Sequence, residues 1–216
     1  MRIPYTNFKT RTGDDNAVGG CAFVGGEWKD VDTVEIFDDK KVVMFALPGA
    51  FTPTCSSQQV PAYEELYEDI KAQGVDEVYC LSVNDAFVMN AWFNNQGIKK
   101  VKPIGDGEGV FTQGMGMLVN KPGQGFGMRS WRYSMLVDNG EVVKTFVEDG
   151  KNNASDDNDP FEVSDAQTML TYLKEKKEKK TCPCGRSPIL GCVGWHGLTE
   201  AEYQVKLSEW KELHNV

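Results

Sequence analysis

The sequence lacks the features that would carry a chain into a membrane or onto a nucleic acid. Its longest purely apolar run is Val42 to Leu47, well short of the roughly 20 residues that a spanning helix needs. Met1 to Thr12 contains Arg2, Lys9 and Arg11 but no apolar stretch, so no secretory signal is expected there. Basic residues are in the minority, 23 against 32 acidic, and apart from Lys174 to Lys180 they are scattered. A net charge of −9 argues against nucleic acid or an anionic membrane surface as partner. There is no regular disulfide framework either: the six cysteines stand at 21, 55, 80, 182, 184 and 192. A chain of 216 residues, 40% hydrophobic, can bury a core without staples, which predicts a reducing cytoplasmic setting and working thiols.

What is present reads as an α/β domain with an appendage. Residues 1–32 are polar and Gly-rich and predict a surface arm with at most a short hairpin. Lys41 to Leu47 (KVVMFAL) and Val78 to Val83 (VYCLSV) are short continuous apolar runs, the pattern of strands buried on both faces. Between them Tyr63, Leu66, Tyr67 and Ile70 mark a helix face that Gly74 ends, and Phe87, Val88, Ala91 and Trp92 mark a second before Gly97. Strand, helix, strand, helix implies a right-handed crossover. Pro103 to Gly127 reads as a short strand, a short helix and a long loop. Trp131 to Val137 and Glu141 to Val147 flank Asp138-Asn139-Gly140, a hairpin signal. Ser164 and Gln167 form a capping box for a closing helix over residues 164–177. The KEKKEKK stretch at 174–180 predicts a solvated helix end and a boundary, and Thr199 with Glu202 opens a last helix striped by Tyr203, Leu207, Trp210 and Leu213.

Cys55 follows Thr52-Pro53-Thr54 at the start of the first of these helices. There the free N–H groups and the positive end of the helix dipole favour a charged sulfur, which is the reactive form. Thr52, three residues earlier, is close enough to hydrogen-bond the sulfur or a bound oxygen. Position alone favours an inert cysteine buried at a helix end.

The segment Pro48-Gly49-Ala50-Phe51-Thr52-Pro53-Thr54-Cys55 resembles the active-site motif of the peroxiredoxins: Pro, three residues, Thr, two residues, Cys. PGAFTPTCSSQQVPAY, CLSVNDAFVMNAW (Cys80 to Trp92) and FGMRSWRYSMLVDNG (Phe126 to Gly140) are similar to the type II or type 5 branch, including the bacterial peroxiredoxins fused to glutaredoxin. The resemblance covers residues 1–174. It implies a thioredoxin-like fold with a mixed sheet flanked by helices, commonly a homodimer, and a peroxide substrate with no cofactor needed. Cys55 would be the peroxidatic nucleophile, Thr52 would hydrogen-bond thiolate and peroxide, Pro48 would shield the sulfur, and Arg132 would stabilise the charge. Arg129, three residues earlier, competes for that last role. The resemblance further suggests Cys80 as resolving cysteine, although its place in an apolar strand would require the helix start to unwind first. Otherwise an external thiol, glutathione with glutaredoxin or thioredoxin, would regenerate Cys55.

After a charged linker over 175–181, residues 182–216 are too few for a glutaredoxin. They hold Cys182, Cys184, Cys192 and His196, a donor set that suits a tetrahedral zinc site in a small Cys/His module. A [2Fe–2S] cluster is the runner-up, its spacing one residue short, and a Cys182-Pro183-Cys184 dithiol is a third reading. The rival to an enzyme is a thiol redox sensor or holdase acting through this tail. Gly123, Gly125 and Gly127 lack the strand-then-helix setting of a nucleotide loop.

Overall fold

The computed structural model of the chain describes residues 1–13, 16–17, 23–24, 26–153, 158–180, 186–188 and 193–214. In chain order these form β1 (Asn7–Thr12), the short strands β2 (Asn16–Ala17) and β3 (Phe23–Val24), β4 (Glu27–Asp32), α1 (Thr33–Phe37), β5 (Lys41–Leu47), a π-helical turn (Cys55–Gln59), α2 (Val60–Glu65) and α3 (Tyr67–Lys71). Then come β6 (Glu77–Ser82), α4 (Ala86–Gln96), β7 (Lys102–Gly105), α5 (Val110–Gly114), β8 (Leu118–Lys121), β9 (Gly127–Ser130), β10 (Tyr133–Asp138), β11 (Glu141–Val147), α6 (Ala166–Lys180) and α7 (Glu200–His214).

The central sheet has the order β11-β10-β5-β6-β7. β5, β6 and β7 run parallel, and β10 pairs antiparallel with both β5 and β11. Both faces of β5 are covered, which is why its sequence is an unbroken apolar run. Val42, Met44 and Ala46 join the core with Ile36 and Phe37 of α1 and Phe111 of α5. On the other face Phe45 stacks on Tyr63 of α2 with ring centroids 3.9 Å apart. This mixed sheet between helices is the expected thioredoxin-like fold. Asp85 caps α4 by accepting from the Val88 N–H, and Gly97 in the left-handed region ends it. The β10–β11 turn holds Asn139 and Gly140 at φ 49° and 73°, as a two-residue hairpin requires.

Four local expectations change. The N-terminal arm is a ribbon in which β1 pairs with β4 along its whole length, although only Phe8 and Val31 give it apolar partners in the core. The long loop expected before Gly127 contains a further hairpin, β8–β9; its strands are too short and polar to show periodicity. The helix after Cys55 opens as a π turn, because Pro61 has no N–H and its ring collides with the carbonyl four residues earlier in a regular helix, and it is broken again at Leu66. Asp165, not Ser164, caps α6: its carboxylate accepts from the Thr168 N–H at 2.9 Å, while the Ser164 hydroxyl is committed to Glu148.

The chain divides into two compact units, Met1–Leu170 and Thr171–Val216. α6 crosses that division and runs to Lys180, so the KEKKEKK stretch is the helix end that its composition predicts. In the second unit the Thr199–Glu202 capping box is formed, with the Glu202 carboxylate 2.8 Å from both the backbone nitrogen and the hydroxyl of Thr199. Arg186 donates to the Leu198 carbonyl and to Glu200, beneath the Tyr203 ring. Among the described residues no helix is long and apolar enough to cross a membrane.

Glu148, just beyond β11, is 3% exposed. Its carboxylate accepts from the backbone N–H groups of Glu162, Val163 and Ser164 and from the Ser164 hydroxyl at 2.7–3.0 Å. Removing it strands several buried donors together. Glu148→Ala is expected to lower stability by about 3 kcal/mol, and Glu148→Gln to fall between the two because its amide turns N–H groups toward N–H donors. Denaturant midpoints measure both; a Glu148→Ala midpoint equal to wild type contradicts the assignment.

Candidate active site

β5 ends at Leu47, and the chain turns through buried Pro48 and Gly49 before entering the π turn. Asn84, just after β6, holds this turn: its side-chain oxygen accepts from the Ala50 N–H at 3.0 Å and from the Ser82 hydroxyl at 2.7 Å. Asn84 in turn lies against Gly105 at the end of β7, where a Cβ would stand only 2.8 Å from the Asn84 carbonyl oxygen. Glycine is required for that approach. Phe51 has φ 61°, a strained conformation for an aromatic residue, directly before Thr52.

The Cys55 side chain is fully buried. Arg132, in the residue before β10, donates through one terminal nitrogen to Cys55 Sγ at 3.4 Å and to Gln59 Oε1 at 2.5 Å. Its other terminal nitrogen reaches Asp159 Oδ1 at 2.5 Å. The guanidinium is 1% exposed. Burial works against its charge, but the neighbouring Cys55 and the Asp159 carboxylate outweigh that and hold its pKa above the usual arginine value. Arg129, the competing arginine, lies beside Gly49 but donates to the Phe126 and Val83 carbonyls. Burial lowers its pKa.

The π turn accounts for the second acceptor on Arg132. It closes from the Val60 N–H to the Cys55 carbonyl, and both residues that bracket it, Cys55 and Gln59, are buried toward the arginine. Among the described residues, Gln59 Nε2 and Arg132 Nε have no hydrogen-bond partner. Such free donors beside a sulfur are what an incoming oxygen atom would use. Gln59 and Asp159 were not singled out from the sequence. No local pattern marks them, since each acquires its role by meeting Arg132 across the fold.

The Thr52 hydroxyl donates to the Gly49 carbonyl at 2.8 Å, rather than to Cys55 as expected, because the intervening turn brings that carbonyl within reach. On the far side of the turn, the Trp92 indole donates to the Ser56 hydroxyl at 3.0 Å. Cys80 lies on β6 opposite Phe45, so it shares the sheet face that meets Tyr63. Cys55 and Cys80 are both free and buried. Of the tail residues, His196 lies in the turn Trp195–Gly197. Cys182, Cys184 and Cys192 lie outside the described residues, as does Cys21. Among the described residues no His/Cys/Asp/Glu cluster could hold a metal ion.

Comparison with known proteins bears on the family of the chain. The Redoxin family model matches residues 14–170. Peroxiredoxin sll1621 of Synechocystis is 54% identical over 89% of this chain and 98% of its own length. Hybrid peroxiredoxin hyPrx5 of Haemophilus influenzae is 51% identical over 80% of this chain and 64% of its length. The crystal structure of the Plasmodium falciparum antioxidant protein, a 1-Cys peroxiredoxin, superposes with a TM-score of 0.73 at 37% identity, covering 81% of this chain and 98% of that one.

The thiol of Cys80 is pushed well above its ordinary value of 9.0, first by burial and then by the charge of Cys55, with Arg132 opposing. The folded chain therefore keeps a proton that the unfolded chain gives up near pH 9. That stability is complete below pH 9 and is lost as pH rises. Tyr63 and Tyr133, also raised by burial from 10.0, extend the loss above pH 10. Denaturant midpoints are expected to fall from about pH 9 upward, with native Cys80 resisting iodoacetamide at pH 9 and reacting once unfolded. Equal alkylation of Cys80 in the native and unfolded protein would contradict this.

Proposed function

Because the chain belongs to the peroxiredoxins, within the Redoxin family, we propose that Cys55 is its peroxidatic nucleophile and that Arg132, Thr52 and Pro48 support it. The enzyme is a thiol-dependent peroxidase, an oxidoreductase whose chemistry needs no cofactor. The observation that carries the residue assignment is the buried Arg132 guanidinium 3.4 Å from Cys55 Sγ. In the step proposed, the thiolate attacks one peroxide oxygen. An S–O bond forms as the O–O bond breaks, sulfur is oxidised to sulfenic acid, and the departing hydroxide or alkoxide takes up a proton and leaves as water or alcohol. Arg132 offsets negative charge first on sulfur and then on the leaving oxygen. With its one proton given to Gly49, the Thr52 oxygen is free to accept the O–H of a bound peroxide. Pro48, buried beside the turn, excludes water.

Hydrogen peroxide and organic hydroperoxides are the substrates we infer, and an external thiol is the reductant. Burial keeps Cys80 protonated and enclosed in β6, which disfavours it as resolving cysteine. That leaves glutathione with glutaredoxin, or thioredoxin, to reduce Cys55. The proposed organisation is a cytoplasmic homodimer whose peroxidase domain spans residues 1–174, followed by the charged segment 175–181 and the Cys/His-rich module 182–216. Cys182, Cys184, Cys192 and His196 are proposed to hold zinc, with [2Fe–2S] as the alternative metal centre. Metal analysis of the purified protein checks that assignment, and a metal-free folded tail removes it.

Arg132→Ala is expected to lower the second-order rate of peroxide reduction about a hundredfold and Arg129→Ala less than about threefold; stopped-flow rates in the reverse order would overturn the assignment. Peroxide consumption should continue over many turnovers when glutathione and glutaredoxin, or thioredoxin with its reductase, supply electrons. Stoichiometric consumption alone under all these conditions would favour the sensor or holdase. After one equivalent of peroxide with glutathione present, mass spectrometry should find the adduct on Cys55 with Cys80 still a thiol. A Cys55–Cys80 disulfide instead would restore Cys80 as resolving cysteine.

A further inference from the structure

Residues 158–164 form a strap across the face of the site that carries Arg132, and buried charged side chains anchor both of its ends. Lys121 of β8, 1% exposed, donates from Nζ to the Asn158 carbonyl at 2.6 Å. At the other end the buried Glu148 carboxylate gathers the N–H groups of Glu162, Val163 and Ser164. Trp131 links the two anchors, with Lys121 Nζ 5.0 Å from its ring centroid and its indole N–H donating to the Glu148 carbonyl. Between the anchors, Asp159 accepts from Arg132 and the Phe161 ring lies 5.5 Å from the guanidinium carbon.

A guanidinium is a rigid plane, so holding both terminal nitrogens fixes where each N–H points. Here one is held by Gln59 together with Cys55 Sγ and the other by Asp159 alone. Asp159 thus fixes the nitrogen that the π turn does not hold, and the plane follows from both ends. We propose that Asp159, presented by the strap that Lys121 and Glu148 anchor, is the positioning residue that aims Arg132 at the reacting atoms. The inference rests on the assignment of Cys55 and Arg132 to the peroxidase reaction. Asp159 acts through the arginine and touches no substrate. Because its side chain is 36% exposed, replacing it leaves no buried void.

The test compares two reactions of Cys55. Peroxide reduction needs the arginine aimed at a departing oxygen; alkylation by iodoacetamide, which releases iodide, does not. Asp159→Ala is expected to slow peroxide reduction about tenfold while changing alkylation by less than about threefold. Asp159→Asn, which keeps the acceptor oxygen and drops the charge, should recover most of the peroxide rate. In the Arg132→Ala background, Asp159→Ala should cost less than about twofold, since nothing remains to be aimed. The positioning role is overturned if Asp159→Ala reacts with peroxide at the wild-type rate, if it slows both reactions equally, or if its cost is undiminished without Arg132. Failure of wild-type Cys55 itself to react with peroxide would instead overturn the parent assignment, a result distinct from all of these.

Discussion

The site turns on one buried cation. Arg132 is 1% exposed, and a charge so enclosed is costly unless its hydrogen bonds and counter-charges are supplied. Two parts of the fold supply them: the π turn through Gln59 and Cys55, and the strap through Asp159. The same enclosure bears on the reaction proposed for the site: a guanidinium in a region closed to water would stabilise an oxygen that gains charge as a peroxide bond breaks. The unpaired Nε of Arg132 and Nε2 of Gln59 mean that donors are already in place for an atom that arrives later.

The thioredoxin-like sheet explains how so polar a group can be buried. Arg132 and Ser134 lie on the sheet face opposite Tyr133, Met135 and Val137, which belong to the main apolar core. Arg132 and Ser134 thus lie on the face that carries α2 and the π turn. Asn84, Gly105 and Gly49 then bring the ends of β5, β6 and β7 close enough for one loop to carry Pro48, Thr52 and Cys55. Phe51 carries backbone strain at this point, a cost that a loop with no functional constraint would shed.

Much of this was legible in the sequence, and the reasons differ by element. β5 and β6 could be read because burial on both faces leaves an unbroken apolar run, and the β10–β11 hairpin because Asn139 and Gly140 tolerate positive φ. Cys55, Thr52 and Pro48 stand in one short motif, and Arg132 was singled out by the resemblance to the family rather than by its residue type. Gln59 and Asp159 were not legible. Their roles depend on contacts across 73 and 27 residues of chain, which no periodicity reports. The β8–β9 hairpin and the pairing of β1 with β4 were obscured by polar, half-exposed strands, and Ser164 offered a capping signature that Glu148 had already claimed.

The central claim is that oxidation by peroxide occurs at the Cys55 sulfur. Trapping the sulfenic acid with dimedone after one equivalent of hydrogen peroxide, followed by peptide mass spectrometry, tests it most directly. The adduct is expected on the peptide containing Cys55, with peroxide consumption abolished in Cys55→Ser. A Cys55→Ser protein that consumes peroxide at the wild-type rate, or an adduct found on another cysteine instead, would contradict the account.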